Sequence, residues 1–331
     1  MKKMYENIRT GVIGVGSMGQ NHARVYSEIS NLVGVCDSNK FQGEEIAAKY
    51  NVPFYSDIDE LLKKVDAVTI AVPTTLHLPI ARRASSHGVN MLIEKPLSIS
   101  PKDSEEIIKL AYVNKVKLAV GHIERHNSVI GYAKRKILSG KWGEVISLSS
   151  KRVSNYPERI TDVGVVFDLG IHDLDILSYL TGEKVSSVYA VGGNKKLEEK
   201  EDFVSIVLTF ESGKVGYCEI NWLTPMKIRS LNINCTSRYI ELDYISQSAK
   251  QYSSKFLNLD KSNLYSTELD IKLEESQIEK VEPLRLELLD FLNSIETDSD
   301  PLVTGEDGLN AVIIATAVLN SLKSKKKVDL I

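Results

Sequence analysis

The chain has 331 residues, 43% hydrophobic and 26% charged, and its 41 Lys and Arg against 44 Asp and Glu leave a net charge of −3. That length suggests two globular domains; the near balance of charge gives nucleic acid no footprint, and neither an apolar leader in Met1–Arg9 nor an apolar run near the ~20 residues of a membrane span is present. Cys36, Cys218 and Cys235 are odd in number, far apart and set in apolar runs, which argues against a disulfide framework or a zinc motif and fits a reducing cytoplasm.

In chain order, the first predicted strand is Thr10–Val15, followed by Gly14-x-Gly16-x-x-Gly19 and a helix over Met18–Glu28. A second apolar strand, Leu32–Cys36, ends in Asp37. This order is what a dinucleotide site requires. Gly14 permits a tight turn, Gly16 lets the backbone approach a pyrophosphate, and Gly19 lets helix pack close to strand. Ser17 and Met18 open the helix, whose unpaired N–H groups and positive dipole end suit phosphate. Asp37 can accept both adenosine-ribose hydroxyls and would repel a 2′-phosphate, which favours NAD over NADP.

Helices over Asn39–Tyr50, Asp57–Lys63, Leu76–His87 and Pro101–Asn114 alternate with strands at Ala67–Ala71, Asn90–Ile93 and Lys117–Val120. The strands are continuous apolar runs, as expected where helices cover both faces of a parallel sheet. Pro101 after Ser100 is a helix start signal. Pro73 ends the Ala67–Ala71 strand region, and Thr74 or Thr75 can cap the next helix. The loop from Pro73 to His77 is expected beneath the cofactor.

After about Gly121 the rhythm changes. A helix at Val129–Ser139, a strand near Val145–Lys151 and a helix at Asp168–Leu180 precede strands at Val185–Val191, Phe203–Phe210, Lys214–Asn221, Arg229–Cys235 and Tyr239–Tyr244. Successive strands without crossover helices imply a largely antiparallel sheet. Ser246–Glu268, rich in Ser, Lys, Asn and Tyr, is predicted as an irregular insertion. Amphipathic helices follow at Pro283–Ile295 and Gly305–Ser324, and the basic run of Lys323 and Lys325–Lys327 reads as a solvated helix end. The expected division is a dinucleotide-binding domain over 1–121 and a substrate and oligomerisation domain over 122–331.

Two further motifs carry chemistry. Glu94-Lys95-Pro96 follows a strand whose carboxyl end faces the ligand crevice of a doubly wound sheet. Pro96 biases Lys95 to an extended backbone. An ammonium there stabilises developing alkoxide charge, whereas the plainer reading is a lysine paired to Glu94. Asp168 and His172 are four apart and share one helix face. The dipole at the helix start favours an ionised Asp168 and a neutral His172, the form a general base for an alcohol proton needs. The plainer reading is a capping Asp with a packed His. His172, Asp173 and Asp175 match no standard metal spacing, so no metal is expected.

Together, Gly14-x-Gly16-x-x-Gly19, the Pro73–His77 loop, Glu94-Lys95-Pro96 and Asp168-x-Gly170-x-His172-Asp173 resemble the Gfo/Idh/MocA oxidoreductases over nearly the whole chain. The resemblance implies an α/β protein: an N-terminal Rossmann domain and a C-terminal α+β domain with a large, mostly antiparallel open sheet that mediates dimer or tetramer assembly. It assigns Lys95, Asp168 and His172 to catalysis. It assigns Gly14, Gly16, Ser17, Met18, Gly19, Asp37, Pro73, Thr74, His77, Glu94 and Lys95 to NAD.

Gly121–Asn127 and Thr161–Asp168 look like the branch of that family that oxidises nucleotide-linked amino sugars, the UDP-N-acetylglucosamine 3-dehydrogenases. The chain departs from that branch at His126 and Ser128, where the branch shows phenylalanine and proline. Arg125, Asn127, Arg152, Arg159 and His172 are the candidate substrate residues, because a guanidinium fork suits a diphosphate; ordinary salt bridges are the alternative for the arginines. The expectation is oxidation of a secondary sugar hydroxyl, with a free-sugar or inositol 2-dehydrogenase, or a non-catalytic NAD sensor, as rivals.

Overall fold

A computed structural model describes residues 3–157, 163–258, 262–263 and 268–330. The chain folds into two compact units. The first comprises Met1–His126 with Val281–Thr316, and the second Asn127–Lys280 with Ala317–Ile331.

The first unit opens with β1 (Tyr5–Ile13), α1 (Ser17–Ile29), β2 (Ser30–Cys36), α2 (Lys40–Tyr50), β3 (Phe54–Tyr55) and α3 (Ile58–Leu62). It continues with β4 (Ala67–Ile70), α4 (His77–Ser86), β5 (Asn90–Glu94), α5 (Pro101–Val113) and β6 (Leu118–Gly121). Among the described residues these strands form a six-stranded sheet in the order β3-β2-β1-β4-β5-β6. Every pairing is parallel, with Ile13 beside Cys36 on one side and Ile70 on the other. The order reverses between β1 and β4, the switch point where such sheets open a ligand crevice at their carboxyl ends.

The sheet is covered on both faces. One core layer joins Ile70, Met91 and Ile93 to Leu61, Ile80 and Ile107 of α3, α4 and α5. The other joins Val12, Val35 and Leu92 to Val25, Tyr26 and Ile46 of α1 and α2. The second layer also holds Leu284, Leu288, Phe291 and Leu292.

The second unit contains α6 (Ser128–Leu138), β7 (Val145–Asn155), α7 (Ile171–Thr181), β8 (Val185–Gly193), β9 (Phe203–Phe210), β10 (Val215–Asn221) and β11 (Leu223–Cys235). After it come β12 (Tyr239–Asp243), β13 (Ser248–Asn258) and β14 (Glu268–Ser276). The four apolar residues that complete the first unit's layer belong to α8 (Pro283–Thr297). Then α9 (Gly305–Ser324) and β15 (Val328–Asp329) end the chain. The sheet has nine strands among the described residues, in the order β14-β13-β12-β11-β7-β10-β9-β8-β15. Among them only β7 and β10 pair in parallel.

Side chains of this sheet alternate as strand geometry demands. Val204, Ile206, Leu208, Cys218 and Ile220 are buried, while their neighbours Val207 and Tyr217 are exposed. Tyr189, Val207 and Tyr217 are cross-strand partners, so an apolar row crosses the exposed face.

Three features differ from the sequence expectation. Within the loop or irregular insertion expected at Ser246–Glu268, Ser248–Asn258 is strand: β13 pairs with β12 and with β14, and hydrogen-bonded backbone carries it where apolar content is low, while residues 259–261 and 264–267 of that expectation lie outside the described residues. The helix expected over Asp168–Leu180 starts instead with a π-helical turn, Val166–Gly170, that contains Asp168 and leads directly into α7. Finally, α8 and the first half of α9 return to the first unit rather than staying with the residues after 122, because the apolar face of α8 completes the layer over α1. Among the described residues no helix is long and apolar enough to cross a membrane.

Candidate active site

The glycine turn is shaped by two steric demands. Gly14 has φ +84°, and a Cβ there would lie 2.5 Å from the Ala71 carbonyl oxygen. A Cβ on Gly19 would overlap the Gly14 carbonyl, so the close approach of α1 to β1 needs glycine. At Gly16, by contrast, a Cβ would meet nothing within 4 Å, so the turn is open there. Gly16 caps α1 with no side-chain hydrogen bond, and no acid stands in the helix's first turn. Ser17 is exposed and Met18 half-buried. The helix therefore presents bare N–H groups and a positive dipole end.

Asp37 holds the turn from the end of β2. Its Oδ2 accepts from Val15 N at 2.7 Å and its Oδ1 from Asn39 N at 2.7 Å. Each carboxylate oxygen keeps a second lone pair for a ribose hydroxyl. An open glycine turn, an unblocked helix N-terminus and an anchored acid fit NAD.

The neighbouring strand ends carry the other first-unit residues. Pro73 is exposed, and Thr74 begins a short 3₁₀ turn, Thr74–Leu76, after β4. His77 is buried, and both its ring nitrogens face main-chain carbonyls: Nδ1 those of Pro96 (3.0 Å) and Leu97 (3.2 Å), Nε2 that of Val72 (3.0 Å). Burial pushes its pKa down against the pull of those carbonyls. His77 thus ties the loop after β4 to the segment after Lys95, a bracing contact that its sequence position does not reveal.

Lys95 is half-buried and enters a cis peptide with Pro96. Its main-chain N–H donates to Glu94 Oε2 at 3.1 Å. The other Glu94 oxygen faces His22 Nε2 at 2.8 Å. Burial pushes the Glu94 carboxyl up, but the hydrogen bond from His22 and attraction to His22 and Lys95 outweigh it and hold it below the usual range. An ionised carboxylate only accepts, so His22 Nε2 is the donor. His22 Nδ1 meets Thr69 Oγ1 at 3.1 Å, and Thr69 meets the Tyr26 hydroxyl at 3.0 Å. Sequence reading missed this network. Its signal is a His and a Tyr four apart on the buried face of α1.

In the second unit, Asp168 sits in the π-helical turn and is buried, while His172 lies in the first turn of α7 and is half-buried. The turn is pinned from β9's approach: Val165 N donates to the Glu201 carbonyl (3.0 Å) and Val166 N to the Glu201 carboxylate (3.1 Å). α7 is pinned from β7. Arg152 Nε and Nη2 donate to Asp173 Oδ2 and Oδ1 at 2.9 and 3.3 Å, with each side chain 1% exposed. The guanidinium also stands 5.1 Å from the Tyr244 ring centroid.

The remaining substrate candidates have structural partners. Arg125 Nη2 pairs with Asp307 Oδ1 at 2.9 Å and its Nη1 donates to the Leu302 carbonyl at 3.3 Å. Asn127 caps α6 through Val129 N and donates to the Tyr244 carbonyl at 3.1 Å. Burial, then the Arg125 charge, pushes the His126 imidazole down to about 4, so it stays neutral at physiological pH. Arg159 lies outside the described residues.

A parallel sheet that keeps its first helix N-terminus clear for an anion, beside a lysine at a strand's carboxyl end, defines a dinucleotide-dependent oxidoreductase. Residues 8–122 match the oxidoreductase family described as GFO/IDH/MocA, NAD-binding Rossmann fold, and residues 130–241 match the GFO/IDH/MocA C-terminal domain. The chain belongs to the GFO/IDH/MocA family and is an NAD-binding oxidoreductase.

Among its relatives, the UDP-N-acetylglucosamine 3-dehydrogenase of Acidithiobacillus ferrooxidans is 31% identical over 94% of this chain and 96% of its own. A solved structure of that enzyme superposes with a TM-score of 0.87 at 30% identity, covering 96% of this chain and 98% of the other. The scyllo-inositol 2-dehydrogenase of Bacillus subtilis is 28% identical over 99% of this chain and 97% of its own.

Proposed function

We propose that the protein oxidises a secondary hydroxyl of a nucleotide-linked sugar, with the 3-hydroxyl of UDP-N-acetylglucosamine as the leading substrate. What supports this most is the relative of that activity, 31% identical along almost the entire length of both chains. The retention of Lys95, Asp168 and His172 supports catalysis over NAD sensing.

Bound NAD supplies the hydride acceptor. Gly14, Gly16, Gly19 and the N–H groups of Ser17 and Met18 hold its pyrophosphate, and Asp37 its adenosine ribose. Pro73 and Thr74 line the nicotinamide side. His172 accepts the proton of the reacting hydroxyl. Lys95 serves as a hydrogen-bond donor that stabilises growing alkoxide charge. Asp168 is assigned a positioning role, toward the sugar or the lysine. The diphosphate contact falls to Arg159, since Arg125 and Arg152 have acidic partners within their own units.

Those two internal pairs are also what favours a second reading, a free polyol as substrate, in line with the inositol dehydrogenase relative. The test is to incubate the protein with NAD and a panel containing UDP-N-acetylglucosamine, glucose and scyllo-inositol while following NADH absorbance. Turnover of the nucleotide sugar is expected. Turnover of a free polyol with none of any nucleotide sugar overturns the first reading.

The exposed row of Tyr189, Val207 and Tyr217 supports a homodimer or homotetramer built on the open face of the nine-stranded sheet. A cytoplasmic setting is supported by Cys36, Cys218 and Cys235, all free and buried, their thiols pushed up by burial to about 11, 12 and 11.

A further inference from the structure

The network behind Lys95 has a third acid. Glu287 of α8 brings a carboxylate oxygen within 4.8 Å of a ligand atom of both His22 and Glu94. The three residues are 2%, 0% and 7% exposed respectively. Their hydrogen bonding is unequal. Both Glu94 oxygens are engaged, one by His22 and one by the Lys95 N–H. Neither oxygen of Glu287 meets a hydrogen-bond partner among the described residues.

Two carboxylates this close in a buried enclosure do not both ionise. The charge settles on the acid that has donors, and that is Glu94. Accordingly, burial, then the Glu94 charge, then Asp290 push the Glu287 carboxyl well above its ordinary range.

We propose that Glu287 is a positioning residue for Lys95, acting through Glu94 as the neutral half of a carboxylic acid–carboxylate pair. This rests on the assignment of Lys95 to the reaction given above. While Glu287 is neutral, the network presents one negative charge to Lys95. When the Glu287 proton leaves to bulk solvent, a second negative charge appears beside Glu94. It draws the Lys95 ammonium toward the pair and strengthens its hold on its own protons, which weakens it as a donor to the reacting oxygen. Ionisation of Glu287 therefore sets an alkaline limit on turnover.

The charged and titratable groups on the elements packed against α8 are few. α1 supplies His22 and Tyr26, and Arg24 and Glu28 at its surface, where they pair with Glu282 and Arg285. The end of β5 supplies Glu94 and Lys95. The short helical turn Ile123–His126 supplies Glu124, Arg125 and His126. α8 itself adds Asp290, which accepts from Leu302 N at 2.8 Å, and Glu296, and β1 adds Tyr5, whose hydroxyl is pushed up by burial and then by those two acids.

The test uses the full chain and Glu287→Gln, an isostere that cannot ionise, with Glu287→Leu as a second neutral variant should the first not fold. The first readout is thermal unfolding between about pH 5 and 9, which needs no substrate. The folded-state value lies above the unfolded one, so the folded wild type holds a proton that the unfolded chain has released. Its contribution is complete below the ordinary value of 4.5 and is lost as pH rises toward the folded value. The wild type should thus lose melting temperature relative to Glu287→Gln as pH rises, and a gap that stays constant with pH overturns the proposal.

The second readout is kcat against pH. The wild-type alkaline limb should move upward by about one pH unit or more in Glu287→Gln, and an unmoved limb overturns the positioning role. A wild type that turns over no sugar, yet shows the widening melting gap, overturns the assignment of the reaction and leaves the acid pair standing. Zn²⁺ or Mn²⁺ raising the melting temperature of wild type but not of Glu287→Gln also overturns the proposal, since the three side chains would then be a metal site.

Discussion

The two sheets of this protein divide labour differently. The six-stranded sheet is parallel and sealed on both faces, so only its strand ends are left open; Asp37, Thr74 and Lys95 all stand at such ends. The nine-stranded sheet is mostly antiparallel, and its strands β9 and β10 bury one face and expose the other. It carries a charge-paired helix, α7, against its covered side and an apolar row on its open side. Sealing both faces leaves a sheet only its edges for the proposed chemistry, while a bare face is where the proposed contact between copies would form.

Three substitutions probe that contrast. The largest effect is expected from Lys95→Ala, at a strand end of the sealed sheet. Loss of a donor to the developing oxyanion should lower kcat by ~10²–10³-fold while NADH binding, read by fluorescence titration, persists. A variant with normal turnover would remove Lys95 from the reaction.

Next is Arg152→Ala, on the covered face of the larger sheet. It strands Asp173 as a buried charge without its guanidinium, which should cost about 3–5 kcal/mol in urea unfolding. A loss of only ~0–1 kcal/mol, the range of an exposed pair, would mean that the pair is solvated.

The smallest stability effect belongs to Tyr217→Glu on the bare face. It should leave urea unfolding of the subunit within about ±0.5 kcal/mol but reduce the mass seen by light scattering. Unchanged mass would show that the open face is not where copies meet.

The sealed sheet was the more legible of the two. Its strands at Ala67–Ile70 and Leu118–Gly121 are buried throughout because helices cover both sides, and apart from Thr69 they hold no polar side chain, so such runs stand out from their surroundings. The outer strands β13 and β14 did not stand out, since Ser, Lys, Asp and Glu crowd their sequences. Yet Leu269, Ile271 and Leu273 alternate with Asp270, Lys272 and Glu274, a period-two signal that was available.

Within the candidate site, the glycine turn and Asp37 were readable because backbone sterics allow few alternatives there. The partners of Arg125 and Arg152 were not, because Asp307 and Asp173 are distant in sequence. Nor was Glu287, since periodicity shows that one face of α8 is buried without saying what it is buried against.

The placement of α8 bears on how the protein is made. Leu284, Leu288, Phe291 and Leu292 close the layer that begins with residues before 50. As the polypeptide leaves the ribosome, the dinucleotide half emerges early but lacks this cover until the whole of the nine-stranded sheet except β15 has been translated. An excised 1–126 fragment would expose that patch to solvent and to chaperones, so the nucleotide-binding half is not a module that evolution or an engineer can simply cut out at its first boundary.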